Sequence, residues 1–568
     1  MTVAGGRFRA ASVAPFLVIA AGIGFVLYLQ APITAEVFFN GDGGIKFLLA
    51  RQFASGDLRA DLHFPAPEWA RSLWTEGLFP FHPPFVYERE DLRYAQYPIY
   101  FPLLSAPFYR LVGLRGLYVI PALALFVHWL VFRSLCARLR MGAAAMTVAT
   151  LTLAFASPLT LYAAMFWEHT LAVTLAFTGL AAVVAPPAGG ESRWAPLCAG
   201  LLTGLSTWFR PELACFVILL AALSFAPFNR GGRPPWWRGL FAGTMLAATL
   251  ASLIANWILS GHPMGFYRHI AYAPGQRLAL YPESLAALTG NLLYFYPLVL
   301  VPAAYLLLTV RDPKRALAWP FGALLAIGIL FLPVVPLLLP MGGGRQWGPR
   351  YLLILVPLVA LLSGLSAQRM SVLLPRLPRY LGFAILAGAA WLGFLRNTVL
   401  GGDRVVSDTE SRVLPALDYV LKHDSEVVAV SRQWISEDLA AAFDRRRFFL
   451  TPTFADLARL AAALGGRGAS RFLYLCLPSE PSPPPLVFGS GERRGRAAFA
   501  RAGDFGQYTI YEARIGTAGG GSGPAPEREQ GVLGPQRNPA EPGLDRTQYG
   551  QPAREDEQEL ERHVLEPR

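Results

Sequence analysis

Charged residues and cysteines are scarce in this sequence of 568 residues. Only 15% of the residues are charged, 54% are hydrophobic, and the mean hydropathy is +0.38. Soluble globular domains carry about 25% charged residues, so this composition excludes an ordinary soluble protein. The four cysteines lack the spacing of a metal site, and only Cys476 falls in a predicted extracytoplasmic region. We therefore expect no disulfide framework.

The sequence also lacks a small-residue cleavage site after its first apolar run. That run is therefore predicted to be a retained membrane span and not a signal peptide. Apolar runs of about 20 residues, long enough to cross a bilayer, recur along most of the chain. They predict an α-helical polytopic membrane protein. The eleven predicted spans lie near residues 12–30, 116–134, 143–163, 169–185, 195–209, 211–227, 238–259, 291–310, 318–340, 350–367 and 379–396.

Basic side chains predict the orientation of these spans. Arg7 and Arg9 precede the first span, and further arginines or lysines fall in every second loop after it. Short cytoplasmic loops carry this bias, so we expect a cytoplasmic N-terminus and an extracytoplasmic C-terminal region. We predict two spans, five and six, on either side of Arg210-Pro211-Glu212. A single continuous span there would place the later basic loops on the outer side of the membrane. The net charge of +12 follows from this orientation and requires no nucleic-acid partner.

Two large loops are predicted on the outer face. The first loop, residues 31–115, contains helical patterns near residues 45–53 and 69–77. Both patterns have an apolar face, and we expect helices that lie in the membrane interface with tryptophan at headgroup depth. The second loop runs from residue 260 to about residue 290.

The composition changes after residue 400. Residues 426–431, 471–478 and 507–513 are typical of short strands, and helical patterns lie between and before them. This alternation predicts a small α/β domain over residues 401–515, outside the membrane. Residues 516–568 are rich in Gly, Pro, Gln and mixed charge, and we expect them to be a disordered tail.

Ionisable residues concentrate at the predicted outer ends of the spans. Burying such groups beside apolar segments is costly, which suggests a function. For any one of them, an interfacial charge or a structural ion pair is the alternative. Four groups on one face favour a single polar pocket. The groups are Asp42 with Lys46, Glu168 with His169, Arg210 with Glu212, and Arg345 with Arg350.

The stretch FNGDGGIK, residues 39–46, is the strongest candidate for chemistry. Its glycines let the backbone pass close to a ligand. A carboxylate such as Asp42 can act as a base toward a hydroxyl, while arginine and lysine bind phosphate oxygens. A phosphate bound at the membrane surface, with its tail in lipid, indicates a lipid-phosphate substrate. Tyr97, Trp167 and Trp347 are candidates to stack on a sugar, with interface anchoring as the alternative.

Several motifs resemble those of the GT-C superfamily, integral membrane glycosyltransferases that use polyprenyl-phosphate sugars. Within it, the chain is similar to the branch of protein O-mannosyltransferases and aminoarabinose transferases. The resemblance covers residues 12–400, which are predicted to form a transmembrane glycosyltransferase domain. It rests on NGDGGIK at 40–46, YPIYFPLLSAP at 97–107, WEHTLA at 167–172, LLTGLSTWFRPE at 201–212 and GGRQWGPRYLL at 343–353.

The resemblance implies Asp42 as the catalytic base, an inverting reaction, and Glu168 as a second acidic site residue. It also implies that Arg345 or Arg350 contacts the donor phosphate. Many relatives have a second acidic residue directly after the aspartate, where this chain has Gly43. A divalent metal is therefore left open, and no other cofactor is expected.

The resulting hypothesis is a transferase of hexosyl or pentosyl groups at the outer face of a bacterial inner membrane. The donor would be a polyprenyl-phosphate-linked sugar and the acceptor a hydroxyl of a lipid, glycan or protein. The alternatives are a polymerase or ligase of lipid-linked polysaccharide, and a transporter or flippase. A transporter should carry charges at the bilayer midplane, whereas these lie at one face. The predicted substrate-binding residues are Lys46, Tyr97, His169, Arg210, Glu212, Arg345, Trp347 and Arg350.

Overall fold

The structure is a computed structural model of the chain. It describes residues 4–33, 35–39, 42–185, 192–226, 234–266, 274–339, 347–488 and 495–517. Residues 1–516 form one compact unit, and Thr517 alone is described in the second unit, residues 517–568. The predicted disordered tail therefore lies almost wholly outside the described residues.

Helices dominate the first 400 residues. The first eleven helices are α1 (Ala4–Gln30), α2 (Asp42–Ala54), α3 (Glu68–Leu73), α4 (Tyr100–Val112), α5 (Val119–Arg138), α6 (Ala143–Phe155), α7 (Leu159–Ala163), α8 (His169–Val184), α9 (Trp194–Phe209), α10 (Leu213–Phe225) and α11 (Pro235–Ser260). The next six are α12 (Pro274–Phe295), α13 (Leu300–Leu308), α14 (Pro313–Ala316), α15 (Phe321–Leu338), α16 (Leu355–Leu373) and α17 (Arg376–Phe394).

Six of the described helices or helical runs are long and apolar enough to cross a membrane, or seven if a bent pair counts as one span. In α11, Leu246, Leu250, Ile254 and Ile258 recur every four residues and are all exposed. This spacing lines one face of the helix with apolar side chains, which a bilayer covers. The protein is therefore a multi-pass membrane protein. The six are Val13–Gln30, Tyr100–Arg138, Pro235–Ser260, Phe321–Leu338, Leu355–Leu373 and Arg376–Lys422.

The predicted count of eleven spans is not confirmed, although each predicted span contains a described helix. Among these helices, α6, α8, α9 and α10 have only 13, 16, 16 and 13 residues. At 1.5 Å per residue they are shorter than the hydrocarbon core of about 30 Å. The pair Arg277–Phe295 and Pro297–Leu308 is bent by 98°. The predicted outer loop over residues 260–290 was wrong from Pro274 onward, where α12 begins.

The first outer loop contains α2 and α3, as the apolar spacing predicts, but they are not exposed interface helices. Ten of the 13 residues of α2 are buried, because α4 packs on one side of it and residues 433–444 on the other. The indole of Trp74 donates a hydrogen bond to the Phe448 carbonyl at 3.1 Å. Trp69 stacks on Phe449 with the ring centroids 5.7 Å apart. These tryptophans contact the C-terminal domain, and their predicted position at headgroup depth stays a prediction.

A short hairpin, which the sequence did not reveal, follows in the same loop. It pairs β1 (Val86–Arg89) with β2 (Leu92–Ala95) in antiparallel register. Glu90 and Asp91 connect the strands with φ of 55° and 63°. Two-residue hairpin turns with both φ positive match the twist of the strands, and Asp tolerates that conformation.

The C-terminal domain has the predicted α/β character. Its helices are α18 (Gly401–Ser407), α19 (Leu414–Lys422), α20 (Gln433–Asp438) and α21 (Phe454–Gly465). Its strands are β3 (Val427–Val430), β4 (Arg447–Leu450), β5 (Arg471–Cys476), β6 (Leu486–Phe488), β7 (Gly495–Phe505) and β8 (Tyr508–Thr517), in the sheet order β4-β3-β5-β8-β7-β6. β3 pairs in parallel with both β4 and β5, and β5 pairs antiparallel with β8. A continuous helical run of 47 residues, Arg376–Lys422, joins this domain to the membrane part.

Candidate active site

Asp42 and Arg350 form an ion pair at the centre of the candidate site. Asp42 is the first residue of α2, and Arg350 opens a short 3-10 turn, Arg350–Leu352, just before α16. The Asp42 Oδ2 and Arg350 Nη1 atoms are 3.0 Å apart, and both side chains are largely buried. Arg350 also donates from Nη2 to the hydroxyl of Tyr351 at 3.1 Å. The structure thus brings together two of the predicted site residues that lie far apart in the sequence.

A second buried charge network is centred on Glu168. Lys46, one turn after Asp42 on α2, places Nζ 2.7 Å from Glu168 Oε2. The other carboxylate oxygen, Oε1, lies 3.3 Å from Arg210 Nη1, and Arg210 pairs with Glu212 at 2.5 Å. All four side chains are at most 4% exposed. The sequence-predicted clusters therefore form linked ion pairs.

Helix ends position Glu168 and Arg210. Glu168 directly precedes the first residue of α8, where the helix dipole favours a carboxylate. Arg210 follows α9 and has φ −137° and ψ 92°, the extended backbone expected before a proline such as Pro211. The proline ends the helix, and the extended residue turns the arginine side chain toward Glu168. The local sequence Arg-Pro-Glu thus explains the placement of both Arg210 and Glu212.

Electrostatics keep Glu168 ionised. Burial by itself would raise the pKa of this carboxyl, but the charges of Lys46 and Arg210 outweigh burial and hold the pKa below its ordinary value. A carboxylate between two cations is already stabilised. Its arrangement therefore suits the alignment of Lys46 and Arg210 better than proton transfer.

Aromatic rings surround Lys46. Its Nζ lies 4.5 Å from the centroid of the Tyr97 ring and 5.5 Å from that of Trp167. The ring of His169 packs in tilted contacts with the rings of Tyr162 and Trp167, whose centroids are 5.2 and 4.9 Å away. Burial raises the pKa of the Tyr97 hydroxyl well above its ordinary value, and the Asp42 carboxylate raises it further. These aromatic groups desolvate the ion pairs and thereby strengthen them.

Two predicted site residues, Arg345 and Trp347, are not among the described residues that form the ion pairs around Asp42 and Glu168. Arg345 lies outside the described residues. Trp347 makes an edge contact with Phe295 at 5.4 Å and packs closely against Gly401. Its described neighbours are thus apolar, and its predicted stacking on a sugar stays a prediction.

The sequence did not reveal Glu437, a residue of the C-terminal domain that lies beside the site. It is 2% exposed and belongs to α20, which packs on α2. A Cβ added to Gly44 would lie 2.0 Å from the Glu437 carbonyl oxygen, so only glycine permits this contact. The signal in the sequence was the acidic pair Glu437-Asp438 inside a segment with a helical pattern, and a solvent-exposed helix can carry the same pair.

Gly43 is similarly restricted by a close neighbour. A Cβ there would lie 2.8 Å from Cβ of Phe38. In the described part of the chain, no three His, Cys, Asp or Glu side chains converge as metal ligands would. We therefore assign no metal site and derive no step through a metal.

Comparison with known proteins identifies the fold. No protein-family model matches the sequence, and no curated protein does. The apo structure of ArnT from Cupriavidus metallidurans matches with a TM-score of 0.51 at 13% identity, over 90% of this chain and 98% of ArnT. The structure of the same ArnT bound to undecaprenyl phosphate gives 0.47 at 12% identity, over 88% and 97%. The apo oligosaccharyltransferase of Archaeoglobus fulgidus gives 0.41 at 14% identity, over 75% and 64%.

The apo ArnT match carries the conclusion, and the two lower scores add nothing to it. The chain has the fold of ArnT, and the match over 90% of the chain reaches into the α/β domain, which confirms the fold predicted from the motifs. At this identity the likeness concerns the fold alone.

Proposed function

We propose that the chain is a membrane glycosyltransferase that moves a sugar from a polyprenyl-phosphate donor to a hydroxyl acceptor. The buried Asp42–Arg350 pair, 3.0 Å between charged atoms, carries the proposal. This pair sets a carboxylate beside an arginine, a side chain that commonly binds phosphate, in a protein whose fold is that of ArnT. That same ArnT has also been solved with undecaprenyl phosphate, a lipid of the proposed donor class.

Asp42 would act as the base in a single displacement. Its carboxylate would take the proton of the acceptor hydroxyl while the acceptor oxygen bonds to the anomeric carbon. The bond between that carbon and the phosphate oxygen would break at the same time, which releases polyprenyl phosphate. One displacement inverts the anomeric centre. Arg350 would orient the carboxylate through their ion pair, since the guanidinium of an arginine stays charged under these conditions.

Arg350 would also stabilise the departing phosphate. Its Nε is buried and donates to none of the described residues, whereas Nη1 and Nη2 are engaged by Asp42 and Tyr351. An arginine fork can hold a carboxylate with one edge and a phosphate with another. Charge that develops on the leaving group would then be met by a preorganised donor. Lys46, Arg210 and Glu212 would hold this part of the site through Glu168.

The proposed location is a bacterial inner membrane, with the site and the α/β domain on the outer face. The basic loops support this orientation, because they fall on the side opposite to Asp42 in the predicted topology. The acceptor would be a lipid, glycan or protein hydroxyl that approaches from outside.

Substitution of Asp42 tests the proposal. The purified protein would be given undecaprenyl phosphates carrying labelled mannose, glucose or arabinose, with membrane extract of the native host as acceptor. We expect transfer by the wild type and a loss of about 10²–10⁴-fold in Asp42→Asn, the range for removing a general base. The variant keeps an oxygen that accepts from Arg350, so its thermal midpoint should be near that of the wild type.

Asp418→Asn is the control, because Asp418 lies on the surface of the α/β domain in a pair with Lys422. It should transfer sugar at the wild-type rate. Full activity in a folded Asp42→Asn protein would rule out Asp42 as the base.

A further inference from the structure

The α/β domain packs directly on the helix that carries Asp42. Gly44, two residues after Asp42, contacts the Glu437 carbonyl so closely that no side chain fits between them. Ala440, just after α20, approaches the same glycine. The domain is therefore fixed against the start of α2, within reach of the site.

Two neighbouring acids on α20 have opposite environments. Asp438 accepts hydrogen bonds from the Tyr508 hydroxyl at 2.5 Å and from Gln507 Nε2 at 2.8 Å. Glu437 Oε1 is buried and accepts none from the described residues, and its carboxyl forms no ion pair with them. A buried polar group without a partner costs about 1–3 kcal/mol. Such a group is expected where a ligand supplies the missing partner.

The charges around Glu437 favour its neutral form. Burial raises the pKa of this carboxyl well above its ordinary value, and the carboxylates of Asp42 and Asp438 raise it further. A neutral carboxyl can both donate and accept a hydrogen bond, which suits a hydroxyl or a pair of adjacent hydroxyls. The titratable groups whose charge acts on Glu437 or is acted on by it are Asp42 on α2, Tyr97 in the first loop and Asp438 on α20. The charged or titratable groups around these neighbours are Lys46 on α2, Arg350 before α16 and Tyr508 on β8.

We propose that Glu437 binds the hydroxyl-bearing acceptor from the side of the α/β domain, through its buried and unpartnered carboxyl oxygen. The inference rests on the proposed transferase function. It assigns the two sides of the site: Arg350 contacts the donor phosphate, and Glu437 orients the acceptor whose proton Asp42 removes. An acceptor with several hydroxyls, such as a sugar or another polyol, fits this arrangement best.

Two variants of Glu437 test the inference. The labelled donor that the wild type uses is held at saturation while the amount of native-host membrane extract, as acceptor, is varied. Glu437→Ala should raise the half-saturating amount of acceptor about tenfold, as expected for one lost hydrogen bond, and leave that of the donor unchanged. Glu437→Gln keeps a neutral donor and acceptor and should stay within about threefold of the wild type at neutral pH.

The pH profile gives a second readout that a merely structural residue would not change. Because burial raises its pKa well above the ordinary value, Glu437 keeps its proton to a higher pH than a free carboxyl and loses it as the pH rises further. Acceptor binding by the wild type should therefore weaken as the pH rises. In Glu437→Gln this weakening should shift to higher pH or vanish. Glu426→Gln, an exposed carboxyl of the same domain, should behave as the wild type.

The outcomes separate failure of the acceptor role of Glu437 from failure of the proposed transferase function. An unchanged acceptor requirement in Glu437→Ala, or equal losses for donor and acceptor, contradicts the inference. An unaltered pH profile in Glu437→Gln also contradicts the inference, and this result decides the matter if Glu437→Ala does not fold. Failure of the wild type to transfer sugar, or full transfer by Asp42→Asn, would instead remove the proposed function itself.

Discussion

Lys46 shows how burial changes the meaning of a single residue. Its sequence position allowed an exposed lysine on an interface helix, but the side chain is 1% exposed and lies 2.7 Å from Glu168. Arg210 approaches the same carboxylate from the other side. Lys46 thus has its ion pair with this carboxylate, and Arg210 shares it while also pairing with Glu212. Loss of the Glu168 carboxylate should therefore cost more than the loss of a surface ion pair.

Glu168→Gln tests this dependence. The change leaves Lys46 and Arg210 buried without their shared countercharge, and we expect destabilisation by about 3–5 kcal/mol. The measurement is the unfolding midpoint in mixed micelles as the denaturing detergent is increased. Asp418→Asn removes an exposed pair and should cost about 0–1 kcal/mol. Equal midpoints for the two variants would show that the network contributes nothing to stability.

At the scale of elements, the sequence predicted which segments are helical better than it predicted what covers them. The apolar spacing of residues 45–53 correctly indicated a helix, yet it could not show that α20 covers its second face. That contact depends on Gly44 meeting Glu437, a pairing that only the folded chain produces. The helix α12 was missed because Arg277, Pro282 and Glu283 interrupt its apolar pattern.

Gly44→Ala tests the packing of α20 on α2. The added methyl group would overlap the Glu437 carbonyl, and overpacking of this kind costs about 1–3 kcal/mol. We expect sugar transfer to fall by about 5–150-fold if this cost enters the barrier, because about 1.4 kcal/mol is tenfold in rate. Gly388→Ala on α17 is the matched control, since a Cβ there meets nothing within 4 Å. Equal activity of the two variants would contradict a tight contact at Gly44.

At the scale of the molecule, the charge pattern predicts that Lys314 and Lys422 lie on opposite sides of the membrane. Both side chains belong to exposed residues at the ends of short helices. Three predicted spans separate them, and an odd number of crossings changes sides. Labelling of cysteines placed at these two positions tests whether the number of crossings between them is odd.

Cysteine labelling measures the orientation directly. In a Cys198→Ser background, Lys422→Cys should react with a membrane-impermeant maleimide in intact spheroplasts. Lys314→Cys should react only after permeabilisation, because its loop is predicted to be cytoplasmic. The remaining native cysteines are buried or partly buried, which keeps the background low. Labelling of both variants from outside would contradict the eleven-span topology.

The contact between Gly44 and Glu437 also bears on how the protein matures. The two residues come from opposite ends of the chain, and contacts of such long sequence separation form late in folding. During synthesis α2 emerges and is inserted well before the segment that carries Glu437 has been made and translocated. If Glu437 binds the acceptor as proposed, the newly made membrane part has an incomplete acceptor side until the α/β domain has folded onto the first loop.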